Sequence, residues 1–142
     1  MIVTSAFLCD MAIRRDGKFN VMGLGINKFQ PDHMPYDFPN VCALLSVQVE
    51  EDDEGEVIFT GHHIDEKAEK TPLSLAIRLT VPKSHEDWVD TYPLAINLGP
   101  LQIKNPGVHF ILVDMELGGI VSEAARIPFK AVIKPKIHLV GS

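Results

Sequence analysis

Cysteine is scarce: Cys9 and Cys42 are the only two in 142 residues, too few for the disulfide framework that staples small secreted domains. Both read as reduced thiols buried on strands, the commonest setting for a free cysteine. No Lys or Arg precedes the apolar stretch from Met1 to Ile13, and Leu8 stands where a lipoprotein signal needs a small residue before Cys9. Asp10, Arg14 and Arg15 leave that stretch too short to span a bilayer. The expectation is a cytoplasmic protein without a membrane partner.

Sustained helical periodicity is also missing, as are internal repeats, low-complexity tracts and the composition shifts that mark domain boundaries. Positive charge is in deficit: 13 Lys and Arg stand against 19 Asp and Glu, for a net charge of -6. Such a chain repels a phosphate backbone, which makes nucleic acid an unfavourable partner. Hydrophobic residues at 46% and charged residues at 23% are globular averages. Residues 1–142 are therefore expected to fold as one domain around one core.

What the chain does have is short β-rich runs punctuated by Gly and Pro. The run from Val3 to Arg14 puts Val3, Phe7, Cys9, Met11 and Ile13 on one face and Thr4, Ala6, Leu8, Asp10 and Ala12 on the other, which predicts a central strand. Asp16-Gly17 then predicts a hairpin into Phe19, Val21 and Met22. Gly23 and Gly25 read as a bulge or a close backbone approach. From Asn27 to Asn40, Pro31, Pro35 and Pro39 predict a long connection without a regular ladder.

Val41, Ala43, Leu45, Val47 and Val49 form one clean core face, although the cleanest alternation in the chain is that of Leu73, Leu75, Ile77, Leu79 and Val81. The acidic segment Glu50 to Glu56 then predicts a hairpin into a strand from Val57 towards Ile64, and Asp65 to Thr71 reads as a solvated loop. Leu73, Leu75, Ile77, Leu79 and Val81 alternate along the next run, and Lys83 to Pro93 forms a second polar connection. Strand segments follow at Leu94 to Leu98 and Leu101 to Ile103, and a last hairpin joins Val108–Met115 to Ile120–Ile133 around Gly118-Gly119. This pattern predicts an all-β, two-sheet antiparallel β-sandwich of Greek-key or jelly-roll type, with a helix-containing α+β domain as the alternative.

Two stretches carry a family resemblance. One is Ala6-Phe7-Leu8-Cys9-Asp10 leading through Asp16-Gly17-Lys18-Phe19-Asn20-Val21-Met22-Gly23, and the other is Pro106-Gly107-Val108-His109-Phe110. They resemble a family of small bacterial β-rich proteins known as a domain of unknown function. The resemblance covers most of the chain and implies a single β-rich domain with no assigned activity, substrate or cofactor. His109 departs from it, standing where an aromatic such as tyrosine is expected.

Candidate chemistry is sparse. His62 and His63, with Asp65 nearby, could contribute to a metal site together with His33 or His109, although neighbours on a strand point to opposite faces. His85-Glu86-Asp87 lacks the second histidine of a metalloprotease helix. The acidic run from Glu50 lacks the ligand spacing of a calcium loop, and Gly23-Leu24-Gly25 lacks the third glycine and the helix of a dinucleotide site. Neither a nucleophile elbow nor a cysteine beside histidine is present.

The remaining candidate surface is the loop aromatics and methionine: Phe29, Met34, Tyr36 and Phe38 in the first Pro-rich connection, Trp88 and Tyr92 in the second. The bland alternative is that these side chains fold back to close the core. On this reading the protein is a non-catalytic binding or assembly module, acting on another protein or on itself through loop aromatics or a sheet edge, without a cofactor. The rival is a small metal-assisted enzyme or sugar-binding jelly roll with His62, His63 and Asp65 at its site.

Overall fold

The computed structural model describes residues 1–16, 18–50, 53–81 and 90–135. Among these residues the chain is all β, and no helix is long and apolar enough to cross a membrane. The strands are β1 (Ile2–Cys9), β2 (Met11–Arg15), β3 (Lys18–Met22), β4 (Lys28–Phe29), β5 (Tyr36–Phe38) and β6 (Cys42–Val49). They continue as β7 (Gly55–Ile64), β8 (Lys70–Val81), β9 (Asp90–Asn97), β10 (Leu101–Ile103), β11 (Gly107–Leu117) and β12 (Ile120–Ala131). The described ladders make four sheets, one curled into a half-barrel. Their orders are β1-β6-β9, β4-β12-β11-β7-β8, β5-β10 and β2-β3. The β4–β12 pairing is parallel and the other pairings are antiparallel.

The core follows from alternation. Ala43, Leu45, Val47 and Val49 of β6 are buried as one face, and they share a single apolar cluster with Val57 and Phe59 of β7, Ile111 and Val113 of β11, and Ile127 and Phe129 of β12. Each large side chain withdrawn from water here contributes about 1.5–3 kcal/mol. Space is tight where β7 passes the end of β9: a Cβ on Gly61 would stand 2.7 Å from Leu98 Cδ2. At Gly23 (φ 66°) an added Cβ would strike the Asp10 carboxylate, so the close backbone approach expected at this glycine is present.

The hairpin expected around Asp16-Gly17 is the β2–β3 ribbon, in which Arg15 pairs with Lys18 and Met11 with Met22. The final hairpin is β11–β12. Other expectations are corrected. The run from Val3 to Arg14 is two strands broken at Asp10, and among the described strands β1 forms a ladder with β6 alone, so it lies at the edge of that sheet. A bulge at Thr4 lets Val3 pair with Val47 while Ser5 pairs with Ser46. That shift turns Ala6 and Leu8 inward and leaves Phe7 47% exposed.

Residues 50–56 do not close a hairpin, because β6 pairs with β1 and β9 whereas β7 pairs with β8 and β11. The acidic segment is a crossing from one sheet to the other, anchored where the amino terminus lies 2.6 Å from Asp53 Oδ2. The segment from Asn27 to Asn40 does form ladders: β4 and β5 fit between its prolines, none of which falls inside either strand. The connection expected up to Pro93 ends earlier, since β9 begins at Asp90. Pro82, Gly17, His85, Glu86, Asp87 and Trp88 lie outside the described residues.

Candidate functional site

The β7–β8 turn is organised by one carboxylate. The backbone N–H groups of Lys67 and Glu69 donate to Asp65 Oδ1 at 2.9 and 2.8 Å, and Ala68 takes a left-handed conformation (φ 64°) that closes the turn. Hydrogen bonds from Glu69 and then Lys67 hold the Asp65 carboxyl below its ordinary pKa.

Behind this turn lie two buried histidines from neighbouring strands. His63 is 6% exposed and His109 fully buried. Their rings stack at 5.1 Å between centroids, and His109 stacks in turn on Phe129 at 5.3 Å. His109 thus fills an aromatic position with a planar ring that also carries polar atoms. Its Nε2 lies 2.9 Å from the Asn105 carbonyl oxygen, which can only accept, so Nε2 carries the proton. In the neutral tautomer that this contact selects, His109 Nδ1 accepts from His63 Nε2–H at 2.9 Å. The remaining lone pair of the chain is on His63 Nδ1. Burial, reinforced by the neighbouring His109, pushes the His63 pKa down to about 4, while Asp65 and Glu66 oppose the shift.

A cavity of about 380 Å³ opens beside His63. Asp65, Glu66, Lys67 and Glu69 line it from the turn, and Lys104 lines it as well. Glu66 Oε2 also comes within 3.7 Å of His109 Nε2.

His62, adjacent in sequence, lies on the opposite face of the sheet. Its Nε2 is 3.2 Å from Asp114 Oδ2, a carboxylate shared with Lys70 at 3.4 Å, and its Nδ1 is buried without a hydrogen-bond partner. Strand alternation therefore separates His62 from His63 and Asp65. Among the described residues no group of three or more His, Cys, Asp or Glu is disposed to hold a metal ion. His33 meets Tyr36 edge to face at 5.7 Å, at the far end of a series of rings from His63.

The loop aromatics mostly turn inward. Phe29 is buried, with its ring 4.5 Å from Phe38 and 5.0 Å from Phe129. Met34, Phe38 and Tyr92 are partly buried against the core, whereas Tyr36 sits at the surface, 4.8 Å from Phe38. Phe38 and Pro39 also line a shallow apolar cleft of about 420 Å³ with Met11 and Met22, flanked by Asp10 and Asn40. Sequence reading missed this methionine pair, although both residues stand equally far from the Asp16-Gly17 turn and so must face each other across it. It also missed Glu66 and Asn105, whose roles arise from a contact between distant loops.

Cys9 and Cys42 are direct cross-strand partners, both buried. Burial, together with Cys9, raises Cys42 to about 12, and burial raises Cys9 as well, so both stay protonated thiols. The glycine stretch is not an open anion cradle, because the Gly25 and Ile26 N–H groups both donate to the Leu8 carbonyl.

Among the described residues the chain is thus all β, with a small polar cavity at the β7–β8 turn and a shallow apolar cleft beside the β2–β3 ribbon. The chain belongs to the family of unknown function DUF6941, whose model matches residues 4–130. No curated protein matches the chain, and no solved structure matches it.

Proposed function

We propose that the protein is a non-catalytic binding and assembly module that pairs with a second copy of itself through the β2–β3 ribbon and the cleft at its root. The observation that carries this reading is the ribbon's outer face, where Met11, Ile13 and Met22 are 36%, 50% and 53% exposed. A two-stranded ribbon is at best marginally stable alone, and a partner covering its apolar face stabilises it. Methionine suits such a surface because its unbranched, polarisable side chain adapts to what it meets. Charge favours a second copy as the occupant: Arg14, Arg15 and Lys18 make the ribbon basic in a chain of net charge -6.

The same reading takes the three- and five-stranded sheets as the two layers of an antiparallel sandwich, supported by their shared apolar cluster. It takes the protein as cytoplasmic, in keeping with two cysteines that remain free thiols. Sedimentation velocity across the micromolar range tests the assembly. The sedimentation coefficient is expected to rise with concentration in the native protein, and not in a variant carrying Met11→Glu and Met22→Glu. A native protein that stays monomeric throughout removes the reading.

A further inference from the structure

We propose that the cavity at the β7–β8 turn binds a small ammonium-bearing molecule, held by the bare ring nitrogen of His63 and the carboxylates of Asp65 and Glu66. This site uses different side chains from the assembly surface and stands independently of it. The argument begins at Asn105, whose carbonyl fixes the direction of the whole hydrogen-bond chain. Because that oxygen cannot donate, Nε2 of His109 carries a proton, and the neutral tautomer with that proton has its lone pair at Nδ1. His63 spends its proton on that lone pair, leaving Nδ1 as an acceptor in a ring that borders the cavity and is otherwise withdrawn from water. An acceptor bordering the cavity can take a hydrogen bond from a donor that enters it.

The lining selects the donor's charge. Asp65 and Glu66 are half-buried beside His63, whereas Glu69, Lys67 and Lys104 are exposed and can extend their charged ends into water. An anion would meet carboxylates and a lone pair together. A metal ion would lack a sufficient donor set among the described residues. An ammonium group offers three donors and one positive charge, which matches one ring nitrogen flanked by two carboxylates. The volume of about 380 Å³ lies within the range of small-molecule pockets.

Putrescine serves as the probe, titrated at neutral pH into ¹⁵N-labelled protein while histidine ring nitrogens and backbone amides are followed by NMR. A saturable shift at His63 Nδ1 and at the amides of residues 65–69 is expected, and acetate is expected to produce none. Glu66→Gln should weaken binding roughly tenfold, in line with loss of a charge-assisted hydrogen bond. His63→Phe keeps a planar ring in the stack and should abolish binding. Absence of a saturable putrescine shift, or equal affinity in Glu66→Gln, overturns the proposal. The ligand-free spectrum gives a test that needs no variant: His63 must carry its proton on Nε2, and a proton found on Nδ1 overturns the assignment.

Discussion

The β6 strand and the β2–β3 ribbon are both built from alternating side chains, yet they end in opposite environments. In β6 the inward face is met by β7, β11 and β12 and is excluded from water. In the ribbon, Met11, Ile13 and Met22 share a face that stays open to water, with Phe38 and Pro39 beside its methionine end. Period-two patterning therefore identifies a face, while the presence of a second layer decides whether that face becomes core or contact surface.

The comparison can be broken most severely by truncating the covered face. Leu45→Ala, at a fully buried position of β6, should lower unfolding free energy by about 2–5 kcal/mol in urea titrations, because the cavity it leaves cannot fully collapse. Acid should produce the next largest loss. The folded-state pKa of His63 is about 4 against an ordinary 6.5, so between those values the unfolded chain binds the proton that the folded chain refuses. The contribution is fully present above pH 6.5 and disappears as pH falls towards 4. It amounts to at most about 3 kcal/mol. Urea midpoints at several pH values should show this slope, and His63→Phe should remove its share.

Gly61→Ala probes crowding in place of loss. The new methyl group would press on Leu98, and overpacking of this kind should destabilise by about 1–3 kcal/mol, measured by thermal unfolding. The smallest effect belongs to the ribbon. Met11→Glu with Met22→Glu should change the unfolding free energy of the dilute protein by no more than about 0.5 kcal/mol per site. A loss as large as that of Leu45→Ala would show that the ribbon face is core after all.

Much of the fold was legible because turn residues and alternation agree at β6, at the β2–β3 ribbon and at the β11–β12 hairpin. The errors share one cause: local signals do not say which partner a strand takes. Gly55 and its acidic neighbours look the same whether the chain turns back on itself or crosses to another sheet. The bulge at Thr4 adds one residue without altering composition, yet it exchanges Phe7 for Leu8 on the inner face. The site was legible only in fragments. His63 and Asp65 stood out by type, and His109 as a departure from an aromatic position, but their meeting depends on the pairing of Ile111 with His63 across 48 positions of sequence. Phe29 and Phe38 stood out as loop aromatics, but the edge-to-face contacts of Phe29 with Phe38 and with Phe129 reflect chain return, which no local pattern encodes.

The parallel pairing of β4 with β12 bears on how the protein is made. Lys28 and Phe29 leave the ribosome long before Lys130 and Ala131, the residues beside which they settle. In the same interval the β7–β8 hairpin has no β11 against its inner edge, so the backbone groups of that edge lack their ladder partner until translation passes β11. Synthesis rate through the last third of the message thus sets how long that sticky edge stays open.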